Sequence, residues 1–305
     1  MPAFIALIVL ASYWLSHPTA ISSFRWNDVV MAAPLSGKVD TVKIPAKKIP
    51  VASGISAPTV AAESYAVYDT ASGFILTGSN PHQARSIASI TKLMTVLVFL
   101  DHNPGWSKEI TITRADYREG GRIYLYPGDT VTAGDLFRAG LVASDNVAIA
   151  ALVRSTGMSE ADFVTEMNRK AESLHLKETT FADPTGLKHA NQSSAHDVAR
   201  LATTAFKEPA IRDTVVRNGY TFTTKAGDIK RLPSTDKLLE TNFSSGIELI
   251  AGKTGYLNEA GYCFVGQFEK DGHLITTVVL GAESEEARFD ETKRLAEWAF
   301  GTYRW

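Results

Sequence analysis

Ala88-Ser89-Ile90-Thr91-Lys92-Leu93-Met94-Thr95 sets a serine and a lysine three positions apart at the head of an apolar run that continues to Leu100. Positions i and i+3 of a helix share a face, so a helix starting near Ser89 brings the lysine amine within reach of the serine hydroxyl. A serine is a weak nucleophile until a base takes its proton, and a desolvated lysine is such a base. The run is apolar all round, which predicts a helix buried at the centre of a domain. A surface helix carries the same spacing by chance, so the pair gains meaning only in company with other motifs.

Outward from this run the chain reads as strands, then helices, then strands and a last helix. Ser64–Asp69 and Gly73–Thr77 are strand-like around the turn residues Thr70-Ala71-Ser72. Thr132–Val153 is helical with a break at Ser144-Asp145-Asn146, and Ser159–Ser173 is amphipathic, with Phe163, Met167 and Ala171 four apart. Ala260–Phe268 and His273–Leu280 are strands joined by Glu269-Lys270-Asp271-Gly272, whose Asp-Gly is a hairpin signal. Glu285–Phe300 closes the chain as a helix. This order predicts an α+β domain whose antiparallel sheet is built from both chain ends and covered by helices. Residues 210–250 show little pattern beyond Arg231–Asp236, expected as a loop near the site.

Composition narrows the function. The 305 residues are 45% hydrophobic and 21% charged, and the formal net charge of −2 gives no field for nucleic acid. One cysteine, Cys263, excludes an intrachain disulfide, and its apolar surroundings read as a buried strand. Seven histidines are scattered without metal-ligand spacing, so neither a metal nor another cofactor is expected. Ala3–Leu15 is apolar and short for a membrane span, which suits the core of an export signal, although no basic residue precedes it. Residues 33–60 are rich in Pro, Ala, Ser, Lys and Gly and read as a flexible linker. The expected layout is a signal peptide or N-terminal membrane anchor over 1–32, the linker over 33–60 and a folded domain over 61–305. That is the layout of an exported protein of the periplasm or the outer face of the cytoplasmic membrane.

Two further clusters complete a pattern. Ser144-Asp145-Asn146 interrupts an apolar helix, and Ala251-Gly252-Lys253-Thr254-Gly255 precedes the C-terminal hairpin. On a strand Lys253 and Gly255 share one face and Thr254 takes the other, while the two glycines permit another backbone to approach. S-x-x-K, S-D-N and K-T-G, in this order and separated by 55 and 109 residues, are the joint signature of penicillin-binding proteins and class A β-lactamases.

With Tyr126-Pro127-Gly128-Asp129, Phe181-Ala182-Asp183-Pro184-Thr185-Gly186-Leu187 and Ala260-Gly261-Tyr262-Cys263, the stretch from Arg85 to Trp298 resembles the D-alanyl-D-alanine carboxypeptidase family of serine peptidases, the low-molecular-mass penicillin-binding proteins. The resemblance implies the three-layer α-β-α fold shared with serine β-lactamases. It implies peptidoglycan stem peptides as substrates and β-lactams as covalent inhibitors. It also implies roles: Ser89 as nucleophile, Lys92 as its base, and Ser144 as relay between Lys253 and the leaving amine. Asn146 would hold the substrate amide and help fix Lys92. Lys253, Thr254 and Gly255 would bind the substrate, and the N–H groups of Ser89 and Tyr256 would form the oxyanion hole. Asp145 stands where many carboxypeptidases have glycine. With the end of the chain at Trp305, just after the last helix, this is similar to the endopeptidase branch that cuts D-alanyl-diaminopimelate cross-links. A class A β-lactamase would need E-x-x-x-N after S-D-N. Glu160, Glu166, Glu172 and Glu178 are followed four residues on by Val164, Lys170, Leu176 and Ala182. A non-catalytic wall-binding protein is the other alternative, against which the intact motif set stands. Whether a terminal D-alanine or a cross-link is cut, and whether the third peptide residue is diaminopimelate or lysine, stays open at this level.

Overall fold

The computed structural model describes residues 50–305 except 53, 55 and 245. The signal or anchor expected over 1–32 and most of the linker expected over 33–60 lie outside the described residues. Val51–Ala52, within that linker range, pair with Tyr303–Arg304. Among the described residues no helix is long and apolar enough to cross a membrane.

Five antiparallel strands form the central sheet: β1 (Ala62–Asp69), β2 (Ile75–Ser79), β3 (Glu248–Leu257), β4 (Gly261–Lys270) and β5 (His273–Ala282). Their spatial order is β3-β4-β5-β1-β2, so the two chain ends meet between β5 and β1. The β4–β5 turn is the two residues Asp271 and Gly272, at φ 51° and 80°. Both central residues of this turn type need positive φ, which is why Asp-Gly marked it in the sequence.

Alternation along the strands builds the layers. On β4, Phe264 and Phe268 face helix α7 (Glu285–Thr302), joining Phe289, Leu295, Ala296 and Ala299. Cys263 and Val265 face the other way, into the larger core with Val278 and Leu280 of β5. Period two thus puts one helical layer on each face of the sheet. At the middle of the larger layer lies α1 (Lys92–Asp101), where every residue from Leu93 to Phe99 is buried. Burying side chains of this size contributes about 1.5–3 kcal/mol each.

Other helices are set by their caps. α2 (Ala133–Val142) begins with a capping box between Thr132 and Asp135, and α3 (Asn146–Ser155) begins at Asp145, whose carboxylate accepts from Ala148 N at 2.7 Å. Ser159 caps α4 (Glu160–Ser173), and Ser194 caps α5 (Ala195–Ala205). α6 (Pro209–Val215) and the hairpin Gly219–Thr223/Ile229–Pro233 occupy the region where the sequence shows little pattern.

One boundary differs from expectation. Ser89 does not begin an α-helix; it sits in a 3-10 turn, Ala88–Thr91, that feeds α1 at Lys92. Ala88 has φ 47°, a left-handed kink that turns the chain out of the preceding strand. The spacing still works, because residues i and i+3 eclipse in a 3-10 turn.

Candidate active site

Lys92 is wholly buried at the root of α1, and its Nζ has three partners at 2.7 Å: Ser89 Oγ, Asn146 Oδ1 and the carbonyl of Thr185. These partners are not equivalent. Two are carbonyl oxygens and can only accept, whereas the serine hydroxyl can also donate. A neutral amine has two N–H groups and one lone pair. The two N–H groups are therefore committed to Asn146 and Thr185, and the lone pair is left for the Ser89 hydroxyl proton. Burial brings the Lys92 amine down to about 7 against the opposing pull of Asp183 and Asp145. Desolvation is the cause, and the nearby carboxylates act in the other direction.

The Thr185 carbonyl is held by a turn built around Asp183. Burial alone would raise this carboxyl, but hydrogen bonds from Thr185, Lys188 and Asn191 outweigh it and hold the group below its ordinary value. Its oxygens accept from Thr185 N and Oγ1, Gly186 N, Lys188 N and Asn191 Nδ2 at 2.5–2.9 Å. The turn is pressed against the Ser89 segment. A Cβ on Gly186, which has φ +85°, would come within 2.2 Å of Ala88 O. The fragment Asp183-Pro184-Thr185-Gly186 thus works as the back wall of the lysine pocket.

Ser144 and Asn146 serve different lysines. Ser144 is left-handed, at φ 57°, and Asp145 is extended, so the side chains on either side diverge. Asn146 Oδ1 faces Lys92, and its Nδ2 donates to Gly120 O at 3.0 Å. Ser144 Oγ accepts from Lys253 Nζ at 2.9 Å. Lys253, on β3, is buried and also donates to Thr254 O at 3.0 Å. Burial first, then Lys92 and Arg288, bring its amine well below the ordinary range, while Asp236 opposes them.

β3 lies along the Ala88–Thr91 turn at glycine distance. A Cβ on Gly255 would approach Ile87 O to 2.7 Å and Ser89 N to 3.3 Å. Arg288 of α7 holds the Gly255 carbonyl at 3.1 Å from the opposite side. An open cleft of about 590 Å³ runs over this junction, lined by Ser89, Ser144, Asn146, Thr235, Thr254 and Tyr256 among others. All eight sequence-predicted site residues therefore meet at one place, with Ser89, Ser144, Asn146, Thr254, Gly255 and Tyr256 on the cleft wall and both lysines beneath it.

Four participants carry no role in the sequence motifs. Thr235 pairs its hydroxyl with that of Thr254 at 2.7 Å, and Pro233 and Ser234 line the cleft beside it. This is the Arg231–Asp236 segment, expected near the site without a role. Asp236 packs under β3, where a Cβ on Gly252 would meet its Oδ2 at 2.3 Å, and burial raises its carboxyl to about 7. Arg288 and the Thr185 carbonyl are the others. A lone arginine in a helix and a backbone oxygen carry no local sequence signal. Cys263 is buried and its thiol is pushed up to about 11, in keeping with a strand cysteine.

Comparison with known proteins places this geometry. The sequence profile of the D-alanyl-D-alanine carboxypeptidase family matches residues 51–284. The D-alanyl-D-alanine carboxypeptidase DacF of Bacillus subtilis is 31% identical over 255 residues, 79% of this chain and 63% of the relative. The D-alanyl-D-alanine endopeptidase of Haemophilus influenzae is 32% identical over 241 residues, 77% of this chain and 81% of the relative. This chain thus spans less than two thirds of the carboxypeptidase and about four fifths of the endopeptidase. Among solved structures, the Streptomyces K15 DD-transpeptidase superposes with a TM-score of 0.75 at 28% identity, covering 81% of this chain and 100% of its own. A D-alanyl-D-alanine carboxypeptidase from Mycobacterium tuberculosis H37Rv gives 0.74 at 27%, covering 82% and 95%. The α+β fold with its central antiparallel sheet is theirs. Since the matched residues take in all three motifs and every wall of the lysine pocket, this chain belongs to the D-alanyl-D-alanine carboxypeptidase family.

Proposed function

We propose that this protein is an exported serine D,D-peptidase that hydrolyses D-alanyl peptide bonds of peptidoglycan stem peptides through an acyl-enzyme on Ser89, and that β-lactams acylate the same oxygen. The observation that carries this reading is the Lys92 amine, buried, brought to about 7, and left with its lone pair toward the Ser89 hydroxyl. In the forward reaction Ser89 Oγ attacks the carbonyl of the penultimate D-alanine and its proton passes to Lys92. The developing oxyanion is received by the N–H groups of Ser89 and Tyr256, a pairing supported by the close approach of Gly255 to Ser89 N. Collapse expels the amine, which takes a proton from Lys253 through Ser144. Lys92 passes the proton it took from Ser89 back to Lys253 by way of Ser144, which restores both amines. Water then attacks the ester carbonyl, and Lys92 takes its proton and returns it to Ser89 Oγ as the ester C–O bond breaks and the peptide acid leaves. Thr254, with Thr235 beside it and Lys253 behind, receives the substrate carboxylate. Asn146 reaches the substrate amide by exchanging its bond to Gly120 O.

The endopeptidase variant of the reaction keeps the same chemistry, with a diaminopimelate amine as leaving group in place of D-alanine. Asp145, standing where the family resemblance puts glycine in many carboxypeptidases, supports it. Digestion of purified muropeptides tests both levels. Ser89→Ala should abolish labelling by fluorescent penicillin and all cleavage, and wild-type cleavage surviving that change would refute the scheme. Splitting of cross-linked dimers, with the monomeric pentapeptide left intact, would establish the endopeptidase reading; release of D-alanine from the monomer would establish the carboxypeptidase one. Rapid nitrocefin turnover would point to a β-lactamase instead. The periplasm, or the outer face of the cytoplasmic membrane, is the proposed location, since peptidoglycan lies there.

A further inference from the structure

Outside the cleft, the structure gathers His82, Glu178 and His196, whose ligand atoms lie within 4.8 Å of one another. Their sequence separations of 96 and 18 residues hid this grouping, so the histidines are not all scattered as the sequence suggested. His82 is on the segment between β2 and the short strand Arg85–Ser86, Glu178 follows α4, and His196 is the second residue of α5. The backbone already ties the three segments. His196 N donates to Pro81 O at 2.9 Å, and Glu178 N donates to Asp197 Oδ2 at 2.7 Å. The two imidazole rings are 4.7 Å apart, and His82 Nδ1 is 3.8 Å from Glu178 Oε1. Only His82 is well exposed, at 58% of its side chain, so it has the freedom to close on an ion.

A second observation points to a ligand. His196 Nδ1 and Asp197 Oδ1 are buried and make no hydrogen bond, yet face each other at 3.3 Å. A carboxylate on one imidazole nitrogen is the outer-shell arrangement that fixes a metal-bound histidine, since a proton on Nδ1 leaves the lone pair on Nε2. We propose that His82, Glu178 and His196 form a site for a divalent transition-metal ion, Zn²⁺ by its donor set, oriented by Asp197. Two imidazoles and one carboxylate, with water in the fourth position, match that ion's tetrahedral preference at about 2.0–2.2 Å per ligand. None of the three residues lines the cleft, so the ion takes no part in the chemistry at Ser89. It braces instead. His82 stands seven residues ahead of Ser89, and the intervening Arg85–Ser86 pairs with Gln192–Ser193, which leads into the helix carrying His196. An ion here clamps both arms of that pairing behind the nucleophile turn.

The test is Zn²⁺ titration of the chelator-stripped full chain against a chromophoric competitor, with Co²⁺ absorption as the readout of coordination. One equivalent should bind, with a tetrahedral Co²⁺ band and a rise in Tm. His82→Ala and Glu178→Gln should each weaken binding by about tenfold or more and remove the rise in Tm, while still labelling with penicillin. Wild type that binds no more Zn²⁺ than His82→Ala, or a Tm equally raised in both, would overturn the proposal.

Discussion

A lysine that serves as a base at neutral pH leaves a signature in the rate. With its amine brought to about 7, Lys92 is about half neutral at pH 7, whereas a lysine at its ordinary 10.5 is neutral in only about 0.03% of molecules. Burial therefore enlarges the competent fraction by about 1500-fold. The rate constant for acylation of Ser89, followed by stopped flow with a chromogenic β-lactam or a thiolester depsipeptide, should rise with pH and level off. At pH 6 it should be about a tenth of its plateau, and at pH 8 about nine tenths. Lys92→Met should lower the plateau by about 10²–10⁴-fold, the usual worth of a positioned general base, and remove the dependence. Asp145→Asn identifies the titrating group. Asparagine caps α3 as aspartate does, but it removes a charge that raises the Lys92 amine, so the midpoint should move down. A rate independent of pH between 6 and 8 would refute the argument. So would a midpoint near 10, or one that stays fixed in Asp145→Asn.

Other consequences attach to single positions. Asp236 holds its proton more tightly folded than unfolded, since burial raises it from 3.8 to about 7. Its contribution to stability is therefore present at low pH and lost as pH rises from about 4 through about 7, and Asp236→Asn should flatten that part of a urea-denaturation pH profile. Gly186→Ala places a Cβ 2.2 Å from Ala88 O at φ +85°; urea denaturation should show a loss of about 2–4 kcal/mol, together with slower acylation. Thr235→Val removes the hydroxyl paired with Thr254 and should raise KM about 2–10-fold, the worth of a neutral hydrogen bond, with kcat far less affected in steady-state hydrolysis of a depsipeptide.

The parts of this structure legible in the sequence are those in which information is local. The Asp271-Gly272 turn was readable because two consecutive residues must take positive φ, and α4 because Phe163, Met167 and Ala171 repeat at helical spacing. Ser89 and Lys92 were readable because the geometry of one turn suffices to join them, and the tighter 3-10 turn did not disturb it. Thr185 was not, since it contributes a carbonyl and any residue type has one. Arg288 and Asp236 reach β3 from distant parts of the chain, and neither is preceded by a pattern that sets it apart from a surface charge. The His82–Glu178–His196 group was illegible for the same reason: its members are joined by the pairing of Arg85–Ser86 with Gln192–Ser193, which depends on the whole fold.

The middle motif gains its meaning from being a triplet with a helix cap inside it. Asp145 fixes the start of α3, and the residues on either side of it are thereby aimed at two different amines, Ser144 at Lys253 and Asn146 at Lys92. These amines are like charges in one buried site, and Lys92 is among the causes that bring Lys253 down. Their surroundings are asymmetric. Lys92 has Asp183 and Asp145 to favour its proton, while Lys253 has Arg288 against it and Asp236, itself near 7, as its one acidic counterweight. Lys253 thus gives up its proton more readily than an ordinary lysine when the cleft is empty. An arriving substrate carboxylate brings the missing negative charge to that end of the site and makes protonation of Lys253 favourable. In the proposed cycle the substrate thereby arms the group from which Ser144 draws a proton for the leaving amine, while the lone pair on Lys92 stays free for Ser89. A peptide lacking the carboxylate would not bring that charge to Lys253, so it should lose turnover as well as affinity.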